Sequence, residues 1–85
     1  MAIKTETQIK IYPNPASDKI LISWGNYKIQ SVLIQDAIGK QINTSNCFKN
    51  EKQFALDISN LLPGIYYIIL EDINEVKTVK RFIKQ

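Results

Sequence analysis

The chain has 85 residues, of which 45% are hydrophobic and 22% charged, and this size and balance predict a single globular domain with a thin core. Its net charge of +3 is spread along the whole sequence without interleaved stacking aromatics, so nucleic-acid binding is not expected. The sequence has no histidine and one cysteine, which excludes the usual general base, imidazole metal ligands and an internal disulfide.

The start of the chain is polar and carries no periodic pattern. Residues 1–8 are predicted to be a linker or the beginning of a fragment excised from a longer precursor, and residues 9–85 form the predicted domain. No apolar run approaches the roughly 18 to 20 residues that cross a bilayer. If the protein is exported, its amino-terminal signal is therefore expected elsewhere.

Strand patterns begin with residues 8–12, which end where Pro13 and Pro15 remove backbone donors from the ladder. The remaining strands alternate with turns rich in Gly, Asn and Asp, and they are predicted over residues 19–24, 30–36, 40–43, 53–58, 64–71 and 75–83. A helix is conceivable over residues 29–37, but the crowded β-branched side chains favour a strand.

The alternation within these segments indicates which side chains face inward. Ile20, Ile22 and Trp24 share one face, which favours Trp24 as a core residue rather than as part of a ligand platform. Residues 64–71 are the most apolar segment and are predicted to form a central strand covered on both sides. Seven short strands predict an all-β, immunoglobulin-like antiparallel sandwich rather than a barrel.

Several turn residues have a direct structural interpretation. Asp36 is expected to accept hydrogen bonds from turn amides while Gly39 supplies a positive φ. Gly64 allows a tight corner, and the Tyr66 hydroxyl is expected to reach back to the backbone, as in a tyrosine corner. The prolines stiffen residues 12–15, which suits either recognition or protection of a sheet edge.

No arrangement of residues points to catalysis or to a cofactor. The carboxylates form no pair placed by a catalytic motif, so an enzyme is not expected. Residues 71–75 gather acidic side chains in one turn but lack the spacing and the glycine of a calcium loop, which favours a solvated hairpin tip over a metal site.

Four segments stand out in order: Tyr-Pro-Asn-Pro at residues 12–15, Asp-x-x-Gly-Lys at 36–40, Leu-x-x-Gly-x-Tyr at 61–66, and a basic-aliphatic tail at 80–85. Together they resemble the type A C-terminal sorting domain of the Bacteroidota type IX secretion system, and the resemblance covers about residues 9–85. The tail departs from the family pattern, because Arg81 with Lys80 before it stands where lysine is usual.

The resemblance implies a non-enzymatic, cofactor-free secretion signal at the carboxyl end of a larger cargo protein. By that resemblance its partners are the type IX translocon and a surface sortase that usually removes it, and it passes through the periplasm to the outer-membrane surface or the medium. Residues 12–15 and the tail are expected to be accessible chain ends. The recognition candidates are Tyr12, Pro13, Asn14, Pro15, Asp36, Gly39, Lys40, Leu61, Gly64, Tyr66, Lys80, Arg81 and Lys84.

A rival hypothesis from another class is a stand-alone sandwich that binds carbohydrate or spaces an adhesin. Exposed aromatic side chains would support that hypothesis, because sugars stack on aromatic rings.

Overall fold

The computed structural model describes residues 9–46 and 52–85, and within them the chain is all-β without a helix. The strands are β1 (Lys10–Tyr12), β2 (Lys19–Ser23), β3 (Ile29–Asp36), β4 (Gln41–Asn46), β5 (Gln53–Asp57), β6 (Gly64–Asp72) and β7 (Lys77–Lys84). The segment conceivable as a helix is strand β3, as its β-branched side chains predict. The linker predicted over residues 1–8 lies outside the described residues.

The strands form two antiparallel sheets, with the orders β1-β2-β5 and β4-β3-β6-β7. This arrangement confirms the predicted immunoglobulin-like sandwich. After β1 the chain leaves the smaller sheet, and Ala16 makes a parallel bridge with Lys84 at the outer edge of β7. One short segment therefore joins the edges of both sheets.

The core lies between the two sheets and follows the predicted alternation. Ile20, Ile22 and Trp24 are fully buried, and they meet Ile68, Leu70 and Phe82 of the larger sheet, which are fully buried too. Burying such side chains stabilises a domain by about 1.5–3 kcal/mol each. In a chain of this size, each of these positions is therefore important for folding.

Two expectations about strands are corrected. Strand β6 was predicted to be covered on both sides, but Ile65 is 41% exposed, because a two-layer sandwich covers only one face of each sheet. Strand β4 extends to Asn46 rather than ending at residue 43, because its pairing with β3 continues as far as Ser31.

Candidate recognition surface

The four sequence motifs meet at one end of the sandwich. Tyr66 of β6 pairs with Asp36 of β3 on one side and with Phe82 of β7 on the other, and Ala16 bridges Lys84. Strand register thus places the turns and chain segments that follow these residues side by side. We call this the motif end and define it as residues 12–19, 36–40, 57–66 and 80–85.

The turn between β3 and β4 is held by Asp36, as predicted. Its Oδ1 atom accepts hydrogen bonds from the amides of Ile38, at 3.1 Å, and Lys40, at 2.8 Å. Gly39 adopts φ +88°, and its amide donates to the Asp36 carbonyl at 3.0 Å. Asp36 and Gly39 therefore shape the turn, and they leave the side chains of Ile38 and Lys40 exposed at its tip.

The corner before β6 is a tyrosine corner, also as predicted. The buried Tyr66 donates its hydroxyl to the Leu62 carbonyl at 2.6 Å. Its ring stacks on Phe82, with 5.4 Å between centroids. Leu61 packs against the core, and Gly64 adopts φ +155°, a conformation that side-chain-bearing residues rarely adopt. The shape of this corner thus comes from the internal contacts of Leu61 and Tyr66 and from the backbone conformation of Gly64.

Residues 13–16, which we call the strap, fasten the tail to the rest of the domain. The Ile83 amide donates to Asn14 Oδ1 at 3.0 Å, and Asn14 Nδ2 donates to the Arg81 carbonyl at 3.3 Å. The Ala16 amide then donates to the Ile83 carbonyl, and the Gln85 amide donates to the Ala16 carbonyl, both at 2.8 Å. Two motifs at opposite ends of the sequence therefore form one structural unit.

The tail is consequently less accessible than expected. Lys84 is only 9% exposed and donates its Nζ to the Gln85 carbonyl at 3.2 Å, so the expected accessibility of the tail is wrong for this residue. Lys80 is half-buried and Arg81 is exposed. The alternation of β7 explains this pattern, because even-numbered residues share the inward face with Phe82.

The exposed surface of the motif end combines apolar and charged side chains. Ile38 is 89% exposed and Leu62 is 78% exposed, and neither was among the sequence-based candidates. A large aliphatic residue in a turn, where polar residues are usual, is the sequence signal that would have identified both. Tyr12 is 46% exposed and lies in the same region.

Charges of both signs accompany these apolar side chains. Lys19, Lys40 and Arg81 are exposed cations, and Asp18 and Asp57 are exposed anions. A hydrogen bond from the Ser59 hydroxyl, at 2.7 Å, and a second from its amide, at 2.9 Å, lower the pKa of Asp57, with a smaller contribution from Lys19. Asp57 therefore stays ionised at neutral pH.

The two features that raised other functions, the acidic turn at residues 71–75 and Trp24, have structural roles. Asp72 Oδ1 accepts hydrogen bonds from the amides of Asn74, at 2.8 Å, and Val76, at 2.9 Å, so its carboxylate organises the acidic turn. Within residues 9–46 and 52–85, no three acidic or thiol side chains are grouped for a metal ion. Trp24 is fully buried, which does not favour a carbohydrate platform built on it.

The comparison with protein families gives a match over nearly the whole chain. The sequence model described as the secretion system C-terminal sorting domain matches residues 10–85. The chain belongs to this family. Sorting domains of this kind are signals of type IX secretion, and membership implies export to the cell surface or secretion.

The comparison with solved structures supports the fold of this sorting domain. A chain containing the CBM51-2 and INT domains of ZmpB from Clostridium perfringens is similar, with a TM-score of 0.59 and 15% identity. The match covers 84% of the sorting domain and 16% of that chain. A comparison with curated proteins finds no match. Among the described residues, no helix is long and apolar enough to span a membrane.

Proposed function

We propose that this sorting domain forms the carboxyl-terminal part of a larger cargo protein and that the motif end is the surface recognised by the type IX translocon. The observation that carries the proposal is the convergence of four motifs that are far apart in sequence. Asn14 and Ile83, for example, are 69 positions apart and share a hydrogen bond. Internal packing accounts for Tyr66 and the turn conformation accounts for Gly39, but neither accounts for the exposed side chains of Ile38 and Leu62.

The composition of the surface suits protein recognition. Apolar side chains such as Ile38 and Leu62 release water on docking, and neighbouring charges such as Lys40 and Arg81 select the partner and its orientation. On this proposal the domain serves as a folded signal without catalysis of its own.

Removal of the signal is the second part of the proposal. A protease needs an accessible, extended backbone, and Ile9 is only 4% exposed. Cleavage by the surface sortase therefore falls before Ile9, in the linker predicted over residues 1–8. The cargo is then attached to surface lipopolysaccharide or released, after passage through the periplasm with the sorting domain already folded.

A fusion experiment tests this function. Residues 9–85 are placed behind a reporter that carries an amino-terminal export signal, in a host with an active type IX system. The expected result is reporter on the cell surface or in the medium, whereas the reporter alone stays in the periplasm. Periplasmic retention of the folded fusion would contradict the proposal. Truncation of residues 80–85 is a poor test, because it removes the fully buried Phe82.

A further inference from the structure

Strand β7 is an edge strand, and such an edge presents every second amide and carbonyl to solvent or to another chain. At residues 81–85 these outward-facing groups form hydrogen bonds within the domain. The Arg81 carbonyl, the Ile83 amide and carbonyl, and the Gln85 amide all bond to the strap. The strap therefore closes the edge over the tail segment of the chain.

Asn14 supplies half of this closure with its side chain. Its carboxamide accepts from the Ile83 amide and donates to the Arg81 carbonyl, as the backbone of a neighbouring strand would do. A carboxamide offers a donor and an acceptor together, whereas ionised aspartate only accepts and alanine does neither. The prolines on both sides of Asn14 have no amide hydrogen and so cannot provide the donor.

We infer that Asn14 is a positioning residue of the sorting signal: it holds residues 81–85 as a strand with a closed edge, so that the translocon meets the tail in one conformation. The inference rests on the proposed function of the motif end. On this inference the Tyr-Pro-Asn-Pro motif acts by holding the tail in place, and not by contacting the translocon itself. Ordering the tail before binding also reduces the entropy that recognition must overcome.

Amide hydrogen exchange tests the structural part on the isolated domain. Asn14→Ala is compared with Asn74→Ala, which truncates an exposed asparagine in the turn at the opposite end of the sandwich. Loss of the Asn14 bonds is expected to speed exchange of the Ile83 amide by about tenfold. The Phe82 amide, which faces β6, should change little in either variant. Equal acceleration at Phe82 and Ile83 would indicate general destabilisation and overturn the inference.

Export of the reporter fusion tests the functional part. Asn14→Ala should lower export several-fold while the folded fusion accumulates in the periplasm, and Asn74→Ala should export normally. Normal export of Asn14→Ala despite a loosened tail would overturn the inference and leave the proposed function intact. Failure of the unchanged fusion to export would instead overturn the proposed function and, with it, the inference.

A second variant covers the case in which Asn14→Ala does not fold. Asn14→Asp retains an acceptor for the Ile83 amide but loses the donor to the Arg81 carbonyl and places two oxygens against each other. We expect folded Asn14→Asp fusions to be exported less than the unchanged fusion. Export at the unchanged level would contradict a positioning role.

Discussion

The side chain of Tyr66 is fixed at both of its ends, by its ring on Phe82 and by its hydroxyl on the Leu62 carbonyl. The first contact ties the corner to the tail, and the second contact closes the corner itself. The hydroxyl of the buried Tyr66 thus holds the backbone of Leu62, whose side chain is exposed. Buried tyrosines of this kind are usually hydrogen-bonded, since an unpaired hydroxyl in a core is costly.

Replacing this tyrosine measures the contribution of the hydroxyl. Tyr66→Phe removes the 2.6 Å bond while keeping the stacked ring, and the expected loss of unfolding free energy is about 1 kcal/mol. Tyr67→Phe is the matched control, because Tyr67 lies on the opposite face of the same strand. Urea unfolding should show the loss for Tyr66→Phe alone, and equal effects of the two changes would contradict the corner's role.

Asp57 gives the motif end a pH dependence. Its pKa is lowered chiefly by the Ser59 hydroxyl, so its stabilising contribution is present above the ordinary value of 3.8 and is lost as pH falls through the lowered value. Ser59→Ala should therefore reduce stability at neutral pH, and the difference from the parent should narrow in acid. Urea unfolding at several pH values checks this, with the exposed Ser17→Ala as control. A difference that is constant with pH would contradict it.

At the scale of elements, the turns after β3 and β6 have the same construction. Asp36 and Asp72 each accept from the amides two and four positions later, and each also forms a backbone pair across the turn. The left-handed position is filled by Gly39, at φ +88°, in one turn and by Glu75, at φ +66°, in the other. Glutamate carries a conformational strain there that glycine avoids.

Exchanging these residue types should have opposite effects on stability. Glu75→Gly relieves the positive φ and is expected to raise the unfolding free energy by about 1 kcal/mol, and Gly39→Ala is expected to lower it by a similar amount. No atom lies within 4 Å of the β-carbon built at Gly39, so backbone strain alone causes that loss. Glu75→Ala controls for the lost charge. Thermal unfolding measures the stability of all three variants. A loss of stability in Glu75→Gly would contradict the conclusion that the turns after β3 and β6 are built alike.

Local patterns predicted most of these elements because their causes are local. Alternation identified Ile20, Ile22 and Trp24 as core residues, and the Asp-x-x-Gly spacing identified the turn after β3. The partner of Asn14 depends on how two distant strands are placed, and no periodicity within residues 12–15 contains that information. The alternation of β7 places Lys84 on the same face as Phe82, but which face of β7 is turned inward depends on tertiary packing.

At the scale of the whole molecule, the two ends of the sandwich differ in what they present. The motif end carries the recognition candidates with Ile38 and Leu62, and the opposite end carries the turn after β6 and the exposed Lys28 and Lys52. The backbone carbonyls of Lys28 and Lys52 bond to Ile73 and Trp24, which fixes both residues at that opposite end. Recognition by the translocon should therefore depend on position and not only on net charge.

The claim that the translocon recognises the motif end is tested most directly by reversing charges at either end of the sandwich and measuring export of the reporter fusion. Lys40→Glu with Arg81→Glu changes the motif end, and Lys28→Glu with Lys52→Glu changes the opposite end; either pair takes the net charge from +3 to −1. All four side chains are exposed, so both double variants should fold. We expect export to fall several-fold for the motif-end pair and to remain near the parent level for the other. Equal export of the two double variants would contradict recognition through the motif end.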